Sequence, residues 1–512
     1  TELNSYHGTS DSADYWRIIL GPWLIIYIHS LFDKWEMLRK AFDYGEKYFT
    51  VLETENINTS KDYNAFMDSI DSDSWNYSIY CRIIKSIYSL NVEMIEIPTH
   101  PLVIINNNFS ITNSVKIFCK ITLELIMKFL SSKNKKVFIH LNKLSLSRLI
   151  KLNISLFQIP QFYYKEFSFI PKKTNLDKHF RERKIKVKKK NDFEFFLYNN
   201  ILRDIPISYL ENFHQIKKFI SAKKLNPLLI FTDIGHFDND VFKVWLANQK
   251  KNKKKIYAVC HGGSIPFLFN TIEKHEEVIS EKNITFFKPL NKKHFQLPPY
   301  FIKGGVSKNS KGKYCSLIGF EHNRHTFKAA SMPISNKTMD IFNLSIKFCK
   351  SLNKEVFDSL RIRPYPVDSW NTSERYRDIL KDSKIDTNKN LNSCFKSSKL
   401  IICTYPQTTF SEAMASGKPT ILVYEPKYNE NHNEAKELLD KLKGAKIIFN
   451  DPIKAANHVN LHWHKIDEWW SSKEVVLARN YFYNSALKIN YDWNKEWKLF
   501  INNEINPHKL IV

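Results

Sequence analysis

Residues 398–426 constrain the fold of this chain most strongly, because they alternate between strand-like and helix-like patterns within 29 residues. The run SKLIICT (398–404) is short, apolar and bounded by polar residues, which is typical of a buried parallel strand. Thr408 and Thr409 then stand at the predicted N-cap of a short helix that ends at Gly417. The run PTILVYEP predicts a second strand. This order predicts a βαβ unit whose helix N-terminus lies at the carboxyl ends of the strands.

Two interpretations of this helix start are open from the residues alone. Thr409 and Glu412 fit a capping box, in which the carboxylate bonds back to the backbone of the cap. Alternatively, the free N–H groups and positive dipole end of the helix bind an anion. In that case the phosphate of a ligand contacts Thr408, Thr409 and Ser411.

The same α/β alternation extends through most of the chain. A length of 512 residues exceeds one ordinary hydrophobic core, so the sequence predicts two domains with additions. Residues 290–312 are rich in Lys, Pro and Gly and predict a linker between them. The predicted strands are NVEMIEIP, KVFIHL, SLFQIP, PLLIFTDIGH and KIYAVC before this linker, and CSLIGF, VFDSLRIRPYP and AKIIFN after it; the predicted helices include 114–130, 335–352 and 372–381. We therefore expect domains at 1–300 and 311–465, followed by Trp-rich helices over 466–512, of which one is long and amphipathic and the other is shorter.

Several polar residues fall where strands are predicted to end. His261 follows KIYAVC and precedes Gly262 and Gly263, which permit close backbone approach to a ligand. Histidine is the usual general base near neutral pH. Arg324 and Arg363 end later strands and suit phosphate or carboxylate, or else form surface ion pairs. Further candidates for a cleft are His236, at the end of PLLIFTDIGH, and His7 and Arg17 in the N-terminal segment.

The net charge of +25, from 77 basic and 52 acidic residues, suits nucleic acid, an anionic membrane or a negatively charged substrate. Residues 172–190 carry ten Lys or Arg against two acids. This run is either a solvated surface loop or a contact with anionic lipid. Aromatic residues are sparse in it, which argues against stacking on single-stranded nucleic acid.

Cysteine usage and apolar patterning indicate a cytoplasmic protein that is soluble or peripheral to a membrane. The seven cysteines are scattered and form no C-x-x-C pair. The most apolar early run, residues 20–32, is too short to span a bilayer. No D-x-D pair ends a predicted strand, and His462 and His464 lack further ligands at metal spacing, so no metal or other cofactor is expected.

These landmarks together resemble a family of transferases encoded in bacterial O-antigen and other surface-polysaccharide gene clusters. The matching residues span nearly the whole chain; they are Leu3-Asn4 with His7, Tyr15-Trp16-Arg17 with Gly21-Pro22-Trp23-Leu24, His261-Gly262-Gly263, His275-Glu276, Arg363, and Thr408-Thr409 with Glu412 and Gly417-Lys418-Pro419-Thr420. Cys260 stands where the family pattern has Gln, and Ser264-Ile265-Pro266 departs from the pattern on the acceptor side.

The resemblance implies a GT-B-like α/β fold, with two Rossmann-like domains facing a central cleft, a helical N-terminal addition and C-terminal helices that cross back onto the first domain. It implies an inverting, metal-independent glycosyltransferase that uses a nucleotide-sugar donor and a surface-glycan or lipid-linked acceptor, and does not bind nucleic acid. Glu412 would bind the ribose, and Arg324 and Arg363 the leaving group. His261, or secondarily His7, would act as the base. Two arginines also suit a carboxylate, so the donor could be a CMP-linked ulosonic acid such as Kdo or a sialic-like sugar.

Two rival functions are retained. One is a non-catalytic protein that binds nucleic acid or membrane through its basic surface. The other is a sugar-nucleotide epimerase or hydrolase on the same fold, which would release nucleotide without transferring a sugar.

Overall fold

The computed structural model describes residues 2–44, 48–53, 59–88, 92–97, 136–159, 167–172, 174–185, 188, 190–223, 225–262, 271–302, 304–305, 311–328, 337–381, 384–386, 390–429, 431–489 and 491–507. The predicted helix at 114–130 and the predicted site residue Gly263 lie outside these ranges.

Helices and strands alternate through the described part of the chain. The α-helices are α1 Glu2–His7, α2 Ala13–Phe42, α3 Tyr63–Ile70, α4 Asp73–Ile87, α5 Leu146–Ser155, α6 Lys178–Arg181, α7 Asp192–Asp204, α8 Phe213–Ser221, α9 Gly235–Asp238, α10 Asp240–Lys251, α11 Thr271–Ile279, α12 Thr338–Lys350, α13 Lys354–Asp358, α14 Thr372–Ile379, α15 Leu391–Ser397, α16 Thr408–Ser416, α17 Lys436–Gly444, α18 Pro452–His462, α19 Ile466–Ser471, α20 Lys473–Phe482 and α21 Trp493–Ile505. The strands are β1 Tyr48–Glu53, β2 Val92–Ile97, β3 Val137–His140, β4 Leu229–Thr232, β5 Lys255–Val259, β6 Lys282–Thr285, β7 His294–Gln296, β8 Tyr314–Ile318, β9 Leu360–Arg363, β10 Ser398–Cys403, β11 Thr420–Val423 and β12 Ile448–Phe449.

Within the described ranges the strands form two five-stranded sheets and a pair. One sheet has the order β3-β4-β5-β6-β7, and the other has the order β12-β11-β10-β8-β9. Every pairing in the second sheet is parallel. Strands β1 and β2 form a separate parallel pair. The prediction of an α/β fold with two parallel, Rossmann-like sheets is confirmed.

The second sheet is doubly wound. Taken from β9, its order corresponds to 2-1-3-4-5 in chain order, so the direction of winding reverses between β8 and β10. Connections leave adjacent strands in opposite directions at such a switch point, which opens a crevice at their carboxyl ends. The segment after β10 is the one from which the sequence predicted a ligand site.

The chain separates into two compact units. Unit 1 comprises residues 1–142, 156–256 and 325–329, and unit 2 comprises residues 143–155, 257–324 and 330–512. The core of unit 2 contains strands β8 to β11, helix α16 and the tryptophans of the tail, including Trp463, Trp469 and Trp470. Helix α21 packs beside β5 and β7, with Phe500 against Tyr257 and Phe295. The domain boundaries expected from the sequence stay predictions.

The apolar run at 20–32, predicted to be too short to span a bilayer, lies within helix α2, which is long and apolar enough to cross a membrane by length and composition alone. In its most apolar window, however, 56% of the residues are buried inside the structure, as in a core helix of a soluble protein. Trp23 and Tyr27 stack on each other in this buried face. The helix therefore has a structural explanation as part of the core of unit 1.

The local structure differs from the prediction in three places. SLFQIP does not form a strand, because Ser155 ends the amphipathic helix α5 and Phe157 adopts a φ of 55° that interrupts extended backbone. The predicted linker at 290–312 contains β7, which pairs with β6. The tail is not one long helix and a shorter one, since the chain turns at Ser472 between α19 and α20.

Candidate functional site

The carboxyl ends of β8 and β10 lie side by side in unit 2. Cys403 pairs with Ile318 in the parallel register, and the Thr404 hydroxyl donates to the Ile318 carbonyl oxygen at 3.0 Å. On the other side of β8, the Gly319 N–H donates to the Arg363 carbonyl oxygen at 2.8 Å. A side chain at Gly319 would be within 3.3 Å of that oxygen. The strand ends at the switch point are thus held together directly.

Helix α16 begins at this edge without a side-chain cap. Its N-cap is Gln407, in extended conformation, and no side chain bonds to the first turn from that position. The sequence predicted Thr408 and Thr409 at the cap, but both lie within the first turn of the helix. A capping box would need Thr409 at the cap position, so that interpretation was wrong. The first N–H groups of a helix have no partner within it, and here they remain a candidate anion site.

Glu412 lies one turn into α16 and is half-buried. Burial raises the pKa of its carboxyl group, and the positive charge of Lys143 partly opposes this shift. A carboxylate in this position can accept hydrogen bonds from hydroxyl groups of a ligand. Glu412 lies about one turn, or 5.4 Å, from the helix start. The two positions would therefore contact different parts of a ligand, an anionic group at the helix start and a hydroxyl-bearing group at Glu412.

The hydroxyl-bearing residues of α16 have different surroundings. Thr409 bonds through its hydroxyl to the hydroxyl of Tyr405, at 2.7 Å. Tyr405 is buried against Phe320, with ring centroids 4.5 Å apart. Thr408 is half-buried, whereas Ser411 is fully buried. Of the three predicted phosphate contacts, Thr408 and Thr409 are therefore the ones with partial exposure.

His261 follows β5 and is exposed. Its carbonyl oxygen accepts a hydrogen bond from the Lys143 ammonium group at 3.0 Å. Cys260 donates through its thiol to the Gly262 carbonyl oxygen at 2.9 Å, which closes a tight turn. Lys143 thus contacts the turn of His261 and acts electrostatically on Glu412, and all three belong to unit 2.

The two predicted arginines differ in their surroundings. Arg324 is exposed. Arg363 lies 3.8 Å from a carboxylate oxygen of Asp386 and is mostly buried. An ion pair was the alternative role for either residue, and Arg363 has such a partner in Asp386.

Glu321 supports the loop that carries Arg324. It is buried, and its carboxylate accepts hydrogen bonds from the Thr372 hydroxyl and the Trp370 N–H. Burial raises the pKa of Glu321. Because the bonds come from the start of α14, this carboxylate ties the end of β8 to the neighbouring helix.

The remaining candidates lie in unit 1. His7 is 5% exposed, and its Nε2 lies 3.1 Å from the Tyr209 carbonyl oxygen. Burial lowers the pKa of His7 to about 4. His236 is fully buried 3.5 Å from the Thr232 hydroxyl, and burial lowers the pKa of His236 to about 3. Arg17 is exposed on α2.

Lys143 and Tyr405 are the two site residues that sequence analysis missed. Lys143 follows the predicted strand KVFIHL, so its place after a strand was the signal available. Tyr405 lies in the turn before α16. Neither residue type is distinctive in a chain this rich in Lys and Tyr. Within the described ranges, no three His, Cys, Asp or Glu residues are grouped to hold a metal ion; metal independence stays a prediction.

A doubly wound α/β unit with an uncapped helix at its switch point places the chain in the class of Rossmann-like proteins, in which that point is the usual place of ligand binding. Within that class, the chain belongs to the LIC12162 family transferases, whose family model matches residues 1–501. It is therefore a transferase, and the resemblance to a transferase family drawn from the sequence is confirmed. No curated protein sequence matches the chain.

Several solved structures are distantly similar. A mutant of S. aureus TarM, solved with Fondaparinux, alpha-GlcNAc-glycerol and UDP, is 12% identical over 54% of this chain and 55% of its own, with a TM-score of 0.35. The match thus spans about half of that protein. Acinetobacter baumannii MurG is 10% identical over 89% of this chain and 99% of its own (TM-score 0.33). S. aureus MnaA, solved with UDP, is 9% identical over 90% and 97% (TM-score 0.37).

Proposed function

We propose that this transferase is an inverting, metal-independent glycosyltransferase that takes a sugar from a nucleotide-activated donor. The observation that carries the proposal is the combination, at the switch point of the second sheet, of an uncapped helix start and a half-buried carboxylate one turn further on. Phosphate suits the helix start through its N–H groups and dipole. The ribose hydroxyls suit Glu412.

In this mechanism the leaving nucleotide is stabilised by fixed positive charge. The N–H groups at the start of α16, with Arg324, would balance the negative charge that develops on the departing phosphate. His261 would take the proton from the acceptor hydroxyl, since it is exposed while His7 is buried. Lys143, bonded to the carbonyl of His261, would fix the turn that carries this base.

The identity of the donor is a finer part of the proposal. A CMP-linked ulosonic acid, such as Kdo or a sialic-like sugar, fits the hypothesis that Arg324 and Arg363 hold a carboxylate. The ion pair of Arg363 with Asp386 weakens that hypothesis, because Arg363 already has an anionic partner. A donor with a neutral sugar on UDP or GDP needs only the phosphate contacts.

The acceptor we propose is a bacterial surface glycan or its lipid-linked precursor, of the lipopolysaccharide, O-antigen or capsule type, reached from the cytoplasmic face of the inner membrane. Support comes from the basic run at 172–190. Its exposed lysine and arginine side chains, in the part of the run that the structure describes, are Lys172, Lys178, Arg183, Lys184, Lys188 and Lys190. Such a cluster attracts anionic lipid.

A donor panel tests glycosyl transfer. The purified protein is incubated with CMP-, UDP-, GDP- and ADP-linked sugars and a membrane extract, and both released nucleotide and labelled product are measured. We expect release with one nucleotide class, matched by equal transfer of label. Release without transfer would instead favour the epimerase or hydrolase alternative, and turnover of UDP- or GDP-sugars alone would exclude the ulosonic-acid donor.

A further inference from the structure

The carboxyl-terminal end of helix α16 is held by three hydrogen bonds from distant parts of unit 2. The Tyr483 hydroxyl donates to the Met414 carbonyl oxygen at 2.6 Å. The Gly305 N–H donates to the Ala415 carbonyl oxygen at 2.7 Å. The Trp470 indole N–H donates to the Gly417 carbonyl oxygen at 3.0 Å. The last carbonyl groups of a helix have no partners within it, so these three donors satisfy them from outside.

Trp470 and Tyr483 are part of one packed group, which we name the C-terminal clamp (Trp470, Arg479 and Tyr483). The Arg479 guanidinium lies 4.3 Å from the Trp470 ring and 6.0 Å from the Tyr483 ring. It also donates to the Trp470 carbonyl oxygen at 3.2 Å. Both rings are buried, at 6% and 8% exposure. The clamp therefore presents its two donors from a fixed framework.

The backbone at Tyr483 has an unusual conformation, which affects how its side chain reaches α16. Residues Tyr483–Leu487 form a single π-helical turn at the end of α20. Such turns are rare and widen the helix, which changes the direction in which its side chains project. Phe482, just before this turn, lies against Phe410 of α16, with ring centroids 5.7 Å apart. Two consecutive residues of the tail thus contact α16.

We propose that Trp470 and Tyr483 are positioning residues that set where the N-terminus of α16 lies, and thereby the affinity for the phosphates of the donor. This inference rests on the proposed function. A nine-residue helix is stiff and about 14 Å long, so its two ends move together. The start of α16 has no side-chain cap, whereas its end is bonded to the clamp and to Gly305. Neither Trp470 nor Tyr483 needs to touch the ligand.

The test uses Trp470→Phe and Tyr483→Phe, each of which removes one donor and keeps a ring. Two matched controls remove the same groups elsewhere in unit 2. Trp497→Phe loses an indole bond to the Pro298 carbonyl oxygen (2.9 Å), and Tyr257→Phe loses a hydroxyl bond to Glu504 (2.6 Å). The Kd of the nucleoside diphosphate or monophosphate that binds the wild type is measured by calorimetry, well below the unfolding temperature.

We expect each clamp variant to bind the nucleotide about threefold to tenfold more weakly, while the controls keep the wild-type Kd even where their Tm falls as far. The donor KM should rise by the same factor with kcat at saturating donor unchanged. If the clamp variants lose Tm but keep Kd and KM, the clamp is structural only and the inference is wrong. A wild type that binds no nucleotide would refute the proposed function itself, and the positioning role with it.

Discussion

His261 and His7 are both candidates for a general base, but their surroundings differ. His261 is exposed after β5, with its carbonyl bonded to Lys143. His7 is buried, with its ring stacked on Trp16 at 5.7 Å between centroids. A base must reach the proton it removes. At the scale of single residues, the exposed imidazole suits catalysis and the buried one suits packing.

Replacing His261 by Ala should lower kcat by about 10²- to 10⁴-fold, the range that a general base contributes. The nucleotide Kd and the Tm should stay at their wild-type values, because the side chain is exposed. Steady-state kinetics and calorimetry measure this. An unchanged kcat would show that His261 is not the general base, and His7 would then be the remaining candidate.

Replacing His7 by Gln should change how stability depends on pH. The native pKa of His7 is about 4, below its ordinary value of 6.5, so the unfolded chain binds a proton that the native state does not. Stability therefore falls as the pH drops from 6.5 towards 4, by up to about 3 kcal/mol from this group. Urea unfolding across that range should show a shallower fall in the variant. Parallel curves for the two proteins would contradict the shift.

The boundaries of helix α16 depend on more than the helix propensity of its residues. Its end is fixed by Gly417 in the left-handed region, at a φ of 85°, and by tertiary donors. The sequence predicted this stop correctly, because Gly followed by Lys-Pro is a strong helix end. It could not predict the start, since a Thr-Thr pair fits both the cap and the first turn.

Replacing Gly417 by Ala should destabilise unit 2 by about 1–2 kcal/mol, the cost of a side chain in left-handed backbone. Gly444→Ala is the matched control. Gly444 ends α17 without a positive φ, and an added methyl group there would meet its nearest atom at an ordinary 3.8 Å. The control should be neutral or slightly stabilising. Urea unfolding of both variants measures the difference, and equal losses would contradict this explanation.

Across the whole molecule, more of the fold than of the candidate site could be predicted from the sequence. Strands β3, β4, β5, β8 and β10 were predicted because they are apolar runs between polar boundaries. Strands β6 and β7 were missed, since KNIT and HFQ are short and half polar. Contacts distant in sequence were also missed: Lys143 with His261, and Trp470 with Gly417. Local patterns carry no information about such pairs.

The basic residues that give the net charge of +25 do not all have the same role. Arg181, in the middle of the basic run, is buried and bonded to Glu211, whereas its neighbours Arg183 and Lys184 are exposed.

Replacing Arg183, Lys184, Lys188 and Lys190 by Ser should weaken sedimentation with anionic lipid vesicles at least tenfold, since each basic residue contributes about 1 kcal/mol at such a surface. Neutral vesicles are the control. Equal sedimentation of variant and wild type would contradict membrane contact through this run.

The donor site proposed for this transferase is tested most directly by nucleotide binding to the start of α16. Thermal shift with CMP, UDP, GDP and ADP should raise the Tm of the wild type with one of them, because a ligand of the native state stabilises it by mass action. Glu412→Ala should abolish most of that shift, while Glu434→Ala, at an exposed carboxylate of the same unit, should keep it. No shift with any nucleotide, or an equal shift in Glu412→Ala, would contradict a donor site at this helix.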